Sequence, residues 1–265
     1  MLDRFNREIS YLRISITDRC NLRCIYCMPE HGIRLMKHDD ILSFEEIEQF
    51  VKLAVSYGIN KIRLTGGEPL VRKNITQLVQ TLANIRGVKD LAMTTNGILL
   101  DQYAYKLKDA GLKRVNISLD TIDPKQYSEI TRNGNIEKVF RGIEAALKSG
   151  LHPVKINCVL LNQTYEKKLR LINFCEENQL ELRFIHQMDL LKGEFSEVEG
   201  GEGGNCAICN RVRLMANGDL KPCLFSSDAY NIRELGYERA LNLAVGNKPE
   251  AGTVNSNGAF YSIGG

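Results

Sequence analysis

Cys20, Cys24 and Cys27 lie in the run Asp18-Arg19-Cys20-Asn21-Leu22-Arg23-Cys24-Ile25-Tyr26-Cys27. A CxxxCxxC run with an aromatic just before its last thiol supplies three thiolates to a cubic iron-sulfur cluster, where four would complete the protein ligation. One iron is then left open. An open iron can chelate a ligand's amino and carboxylate groups, and a cofactor of that kind supplies radical chemistry that side chains cannot. The alternatives are a zinc site, an electron-transfer cluster or a chance grouping. Structural zinc usually shows paired CxxC or Cys/His ligands, and bacterial ferredoxin runs space their first two cysteines by two residues.

A second trio, Cys206, Cys209 and Cys223, begins in Cys206-Ala-Ile-Cys209-Asn-Arg-Val-Arg213. Tetrahedral structural zinc takes four protein ligands, and no cysteine or histidine follows Cys223. The spacing favours a second three-thiolate cluster over zinc. Arg211 and Arg213 alternate along an extended segment and so project to one side. Cys158 and Cys175 stand alone in apolar patterns and read as small core residues.

The elements that must position these groups are legible from periodicity. The chain has 265 residues and a formal charge of +3, too small for nucleic-acid or membrane binding by bulk electrostatics. With no membrane-length apolar run, no signal-peptide core and eight cysteines that favour metal or catalysis over disulfides, it reads as cytosolic. Short apolar runs alternate with helical patterns, the signature of βα units. Strands are expected to begin near Tyr11, Lys61, Asp90, Arg114, Val154 and Glu181. Ser43 and Glu46 form a capping box for a helix whose Phe44, Ile47, Phe50, Val51 and Ala54 share a face, and Gly58 ends it. Gly111 and Gly150 mark similar stops. The expected fold is α/β: a partial (β/α)6 TIM-like barrel over 1–190, chemistry at the carboxyl ends of its strands, a Glu/Gly-rich linker over 191–204, and a small C-terminal iron-sulfur domain over 205–265. Arg13, Arg63 and Lys155 sit in strand patterns where alternation aims them into the barrel.

Taken together, Tyr11-Leu-Arg-Ile-Ser-Ile-Thr-Asp-Arg-Cys20, Lys61-Ile-Arg-Leu-Thr-Gly-Gly-Glu-Pro69, Met93-Thr-Thr-Asn-Gly97, Asn116-Ile-Ser-Leu-Asp120, Cys209-Asn-Arg-Val-Arg213 and Ile263-Gly264-Gly265 resemble the GTP 3′,8-cyclases of molybdenum-cofactor biosynthesis, radical S-adenosylmethionine enzymes with two 4Fe-4S clusters. The resemblance implies that Cys20, Cys24 and Cys27 hold the reductively active cluster, and Cys206, Cys209 and Cys223 the substrate-side cluster. It implies S-adenosylmethionine contacts at Tyr26, Gly67, Ser118 and Met188. It implies GTP contacts at Arg13, Arg63, Thr94, Lys155, Arg211, Val212 and Arg213, a set whose five cations suit a triphosphate. A 5′-deoxyadenosyl radical would take hydrogen from C3′ of GTP and the C3′ radical would attack C8, with the Gly264-Gly265 tail assisting. The partners implied are a flavodoxin- or ferredoxin-like electron donor and a downstream pterin-forming enzyme. A homodimer is allowed, and neither nucleic acid nor membrane is expected.

The chain also departs from that family. Only 17 residues separate Met188 from Cys206, where the family carries a longer segment, and His186-Gln187 replaces an acidic-aromatic pair. A shortened two-cluster relative acting on another nucleotide or on a peptide is therefore a second reading, and an iron-sulfur electron carrier a third.

Overall fold

Six parallel strands, β1 (Tyr11–Ser15), β2 (Lys61–Thr65), β3 (Asp90–Thr95), β4 (Arg114–Ser118), β5 (Val154–Leu160) and β6 (Glu181–His186), run side by side in chain order. In this computed structural model, which describes residues 1–161 and 164–256, all six begin at the residues expected from periodicity. Helices cross between them: α1 (Phe44–Ser56), α2 (Ile75–Ala83), α3 (Leu100–Asp109), the pair α4 (Pro124–Thr131) and α5 (Ile136–Lys148), and α6 (Tyr165–Glu177). The α1 capping box forms as read, Ser43 and Glu46 each accepting the other's backbone N–H, and Ile47, Phe50, Val51 and Ala54 are buried. Gly58 follows with φ +96°, the left-handed conformation that glycine adopts without steric cost.

One face of every strand packs on the helices. Leu12, Ile14, Ile62, Leu64, Val115, Ile117 and Ile156 belong to one continuous core with the buried helix positions. Cys158 and Cys175 lie in that core, and burial pushes both thiols up. The opposite face looks into the barrel.

The chain after 205 continues the same sheet. β7 (Arg211–Leu214) pairs parallel with β1, Tyr11 opposite Arg211 and Arg13 opposite Arg213. β8 (Asp219–Lys221) and β9 (Tyr230–Asn231) extend it antiparallel, followed by α7 (Ile232–Leu235) and α8 (Tyr237–Gly246). The Glu/Gly segment is held against β6 and the turn after it, with Glu199 bridging Phe184 and Glu194 bridging Asp189. Among the described residues, no helix is long and apolar enough to cross a membrane.

Candidate functional site

The first trio sits on the loop that leaves β1 at the carboxyl end of the strands, where βα barrels carry chemistry. Guanidinium groups brace this loop. Arg72 donates to the carbonyls of Ile16 and Leu42, Arg132 to those of Arg23 and Met28, and Arg23 to that of Cys20. The N–H groups of Cys27 and Met28 both bond the Cys24 carbonyl, turning the chain so that three thiols face one space. The Leu22 N–H and the Asn96 amide approach Cys20 Sγ at 3.4 and 3.9 Å.

Left alone, these thiols resist ionisation. Burial, with Asp120, Cys27 and Cys20 adding to it, pushes Cys24 up to about 12; burial and Cys20 push Cys27 up to about 11. Cationic iron would relieve that repulsion, so the donor set fits a cluster. Among the described residues no three His, Cys, Asp or Glu groups are drawn close enough to grip a single metal ion. A cubane spreads its ligands over separate corners. Tyr26 donates to Asp120 Oδ2 at 2.8 Å, and Asp120 Oδ1 accepts the Val159 N–H at 2.8 Å, tying the trio to β5.

The Gly66-Gly67-Glu68-Pro69 turn follows β2 and packs against the same loop. A methyl on Gly67 would run into the Arg19 carbonyl, whose carbon lies 2.6 Å from that position, with the Asp18 oxygen at 3.0 Å. Backbone cannot yield as a side-chain tip can, so Gly67→Ala is expected to displace the cysteine loop. The variant should destabilise the protein by roughly 1–3 kcal/mol and take up less iron on reconstitution; wild-type melting and iron content would show that the loop accommodates the methyl.

Glu68 was not singled out by sequence. Its buried carboxyl accepts from Leu70 N, Thr95 Oγ1 and Asn96 N at 3.0, 2.7 and 2.7 Å, and Asn96 in turn donates to Asn21. Burial raises Glu68 to about 7 against these hydrogen bonds. In the unfolded chain the group ionises near 4.5, so its contribution to stability is full below that pH and is lost as pH rises through 7, on the order of 3 kcal/mol. Melting of the iron-free protein should therefore weaken between pH 4.5 and 7. Glu68→Gln should flatten that slope, and an unchanged slope would assign it to another group.

Register then assembles the lumen. Arg13 lies opposite Arg63 and Arg213, Asn116 opposite Thr94 and Lys155, and Arg183 opposite Asn157. The Tyr11 ring is flanked by Arg63 and Arg211, at 5.6 and 5.7 Å. Arg63 reaches Thr94 Oγ1 at 3.5 Å, Arg114 pairs with Asp90 at 2.6 Å, and Lys155 pairs with Glu181. These cations sense one another. Burial, then Arg213, depresses Arg13, with Arg63 and Arg211 adding to the effect and Tyr11 opposing it; burial depresses Arg63, where Tyr11 opposes and Arg114 and Arg183 add. Among the described residues, Arg63 Nε, Arg183 Nε and Asn116 Nδ2 are buried without a hydrogen-bond partner. An anion with many acceptors fits such a surface. Arg114, Arg183 and Asn116 were missed by sequence, although each obeys the alternation that marked Arg13. Val212 differs from its neighbours, its side chain lying in the hydrophobic core.

Across the lumen lies the second trio. Cys209 and Cys223 both act on Arg213, which also feels Arg211, so the thiols and the cations share one space. Met188 packs with Cys223 against Leu190, Met215 and Phe225. Ser118 closes β4 opposite Asn157. Gly264 and Gly265 lie outside the described residues.

The Radical SAM superfamily profile matches residues 14–175. A GTP 3′,8-cyclase of Alkaliphilus metalliredigens is 41% identical over 301 positions, covering 97% of this chain and 92% of that protein. The chain belongs to this family of radical SAM proteins. A GTP 3′,8-cyclase of Clostridium botulinum is 39% identical over 319 positions and aligns along the whole of both proteins. Against the 265 residues here, those 319 positions leave the radical SAM chain the shorter of the two. The fold is shared with Streptococcus suis SuiB bound to S-adenosylmethionine (TM-score 0.65, 18% identity, 91% of this chain and 66% of that one). It is also shared with anSMEcpe with bound AdoMet (TM-score 0.65, 17% identity, 90% and 81%).

Proposed function

We propose that this radical SAM protein converts GTP to 3′,8-cyclo-7,8-dihydro-GTP. The observation that carries the reading is the cationic lumen between two thiol trios. Cys20, Cys24 and Cys27 would hold one 4Fe-4S cluster, and Cys206, Cys209 and Cys223 a second. With one electron from the donor, the first cluster and S-adenosylmethionine would supply methionine and a 5′-deoxyadenosyl radical able to take hydrogen from C3′, and once C3′ bonds to C8 of guanine a further electron and a proton would complete the dihydropurine.

The chain's own residues do the rest. Tyr26, Gly67 and Ser118 would contact S-adenosylmethionine near the first trio, and Met188, which packs beside Cys223, would reach it from the turn after β6. Arg13, Arg63, Arg211 and Arg213, with Lys155 and Thr94, bind the triphosphate and orient the ribose, and the Val212 backbone adds to that surface. Arg183, Arg114 and Asn116 complete the polar wall. Fixed, buried cations attract a polyanion more strongly than they would in water. The Gly264-Gly265 tail assists at the site. Eight free thiols suit a reducing, cytoplasmic setting, with a flavodoxin- or ferredoxin-like donor upstream and a pterin-forming enzyme downstream.

The shorter chain favours one rival, a relative acting on another nucleotide or a peptide. Both are tested anaerobically: iron and sulfide are reconstituted, S-adenosylmethionine, a strong reductant and one of several nucleotides are added, and 5′-deoxyadenosine and cyclised products are followed by mass spectrometry. GTP-dependent 5′-deoxyadenosine with an isomer of GTP is the expected result. Cleavage stimulated by another nucleotide and not by GTP would replace the substrate, and none from fully loaded protein would leave an electron carrier.

A further inference from the structure

Lys248 follows α8 and is 1% exposed, yet the chemistry above makes no use of it. Long ammonium side chains are almost never fully buried unless paired, and among the described residues no carboxylate pairs with this one. It donates to two carbonyls, Arg211 at 2.8 Å and Pro222 at 2.7 Å, and also bonds the Cys209 side chain. Arg211 is two residues past Cys209, and Pro222 immediately precedes Cys223. One ammonium thus joins the two stretches that carry these thiols. The next residues reach the third: Arg7, itself paired with Asp3 at 2.7 Å, donates to the carbonyls of Pro249, Glu250 and Cys206 at 2.6, 2.8 and 2.7 Å.

The two cations are not equivalent. Arg7 is neutralised by Asp3, whereas Lys248 meets two carbonyl dipoles and the side chain of Cys209, so its charge faces the thiols. Lys248 hydrogen-bonds the Cys209 side chain and lies close enough to act electrostatically on both Cys209 and Cys223. Carbonyl bonds alone poorly repay burial of an ammonium, and anionic sulfur is the counter-charge at hand.

We infer that Lys248 is a positioning residue for the second cluster: its ammonium ties the Cys209 and Cys223 segments together and supplies the fixed positive charge that raises the reduction potential of the iron-sulfur group they hold. Net charge and hydrogen bonding around the ligand sulfurs set such potentials. The inference rests on the reading that the second trio holds a cluster.

The test uses the full chain with Cys20, Cys24 and Cys27 all changed to alanine, so that only the second trio can load. Iron and sulfide are assayed after reconstitution, and the cluster is titrated potentiometrically with detection by electron paramagnetic resonance. Lys248→Gln keeps two N–H donors for the carbonyls and removes the charge; Lys248→Arg keeps the charge. The expected result is a midpoint shifted to more negative potential in Lys248→Gln and close to the parent in Lys248→Arg. Lys248→Met is a second neutral variant should Lys248→Gln not fold. A neutral variant whose midpoint coincides with the parent's overturns the inference, even if iron-free melting falls, since a merely structural lysine would lower melting and leave the potential alone. A triple-alanine parent that takes up no iron instead sinks the second-cluster reading itself.

Discussion

Cys24→Ala protein, reconstituted without oxygen, is expected to lose S-adenosylmethionine cleavage by about 10³-fold or more while keeping roughly half of the wild-type iron. Three thiolates are the fewest that hold a cubane with one iron free, and Cys24 is the middle ligand of its trio. The turn around it is made by backbone, the Cys24 carbonyl accepting from Cys27 and Met28, so alanine removes the ligand and leaves the loop. Removing a half-buried thiol that desolvation, Asp120, Cys27 and Cys20 all discourage from ionising should not weaken the iron-free protein. Cys158→Ala is the matched control. That thiol is more deeply buried, inside the hydrophobic core, and its loss should leave cleavage and iron content at wild-type levels. Iron assay and mass spectrometry of 5′-deoxyadenosine read both variants. Wild-type cleavage by Cys24→Ala would remove the first trio from the chemistry.

The barrel was legible in the sequence because its lumen is polar. Parallel strands covered on both faces usually read as continuous apolar runs; here Tyr11-Leu-Arg-Ile and Lys61-Ile-Arg-Leu alternate, which exposed both the strand period and the inward cations. The same alternation places Arg114 and Arg183, but Arg114 opens its strand, where a charge looks like an ordinary solvated end. The pairing of β7 with β1 joins Tyr11 to Arg211, and no local pattern encodes a contact between residues so far apart in the chain. The Glu/Gly segment has no period of its own, and its place beside β6 depends on backbone bridges to Phe184 and Asp189. Lys248 was invisible for a related reason: two of its partners are carbonyls, which every residue possesses, and the third, Cys209, is far away in the chain. Side chains that declare a chemistry could be read, whereas those that act on backbone could be found only in three dimensions.

Arg63→Met should weaken GTP binding by about 10- to 100-fold, the worth of one charge-assisted bond of roughly 1.5–3 kcal/mol, and change guanosine binding by no more than about threefold. The contrast follows from where the charge acts: the lumen cations meet phosphate, and guanosine has none. Stability should move the opposite way. Arg63 is buried, and burial with the neighbouring Arg114 and Arg183 disfavours its charged form against the opposing pull of Tyr11, while its Nε has no partner among the described residues. Methionine fills a similar volume without burying charge, and exchanges of that kind often stabilise by about 1–4 kcal/mol, so the iron-free variant should melt above wild type. Arg213→Met should weaken nucleotide binding in the same way but gain less stability, since the thiols of Cys209 and Cys223 favour its charge. Calorimetric binding of GTP and guanosine, with melting of the same preparations, decides the matter. A variant that binds both ligands equally poorly, or that melts lower, would make Arg63 a structural cation. Weaker binding with a higher melting point would mean that the lumen stores repulsion in the empty protein, which a polyanionic substrate relieves on binding.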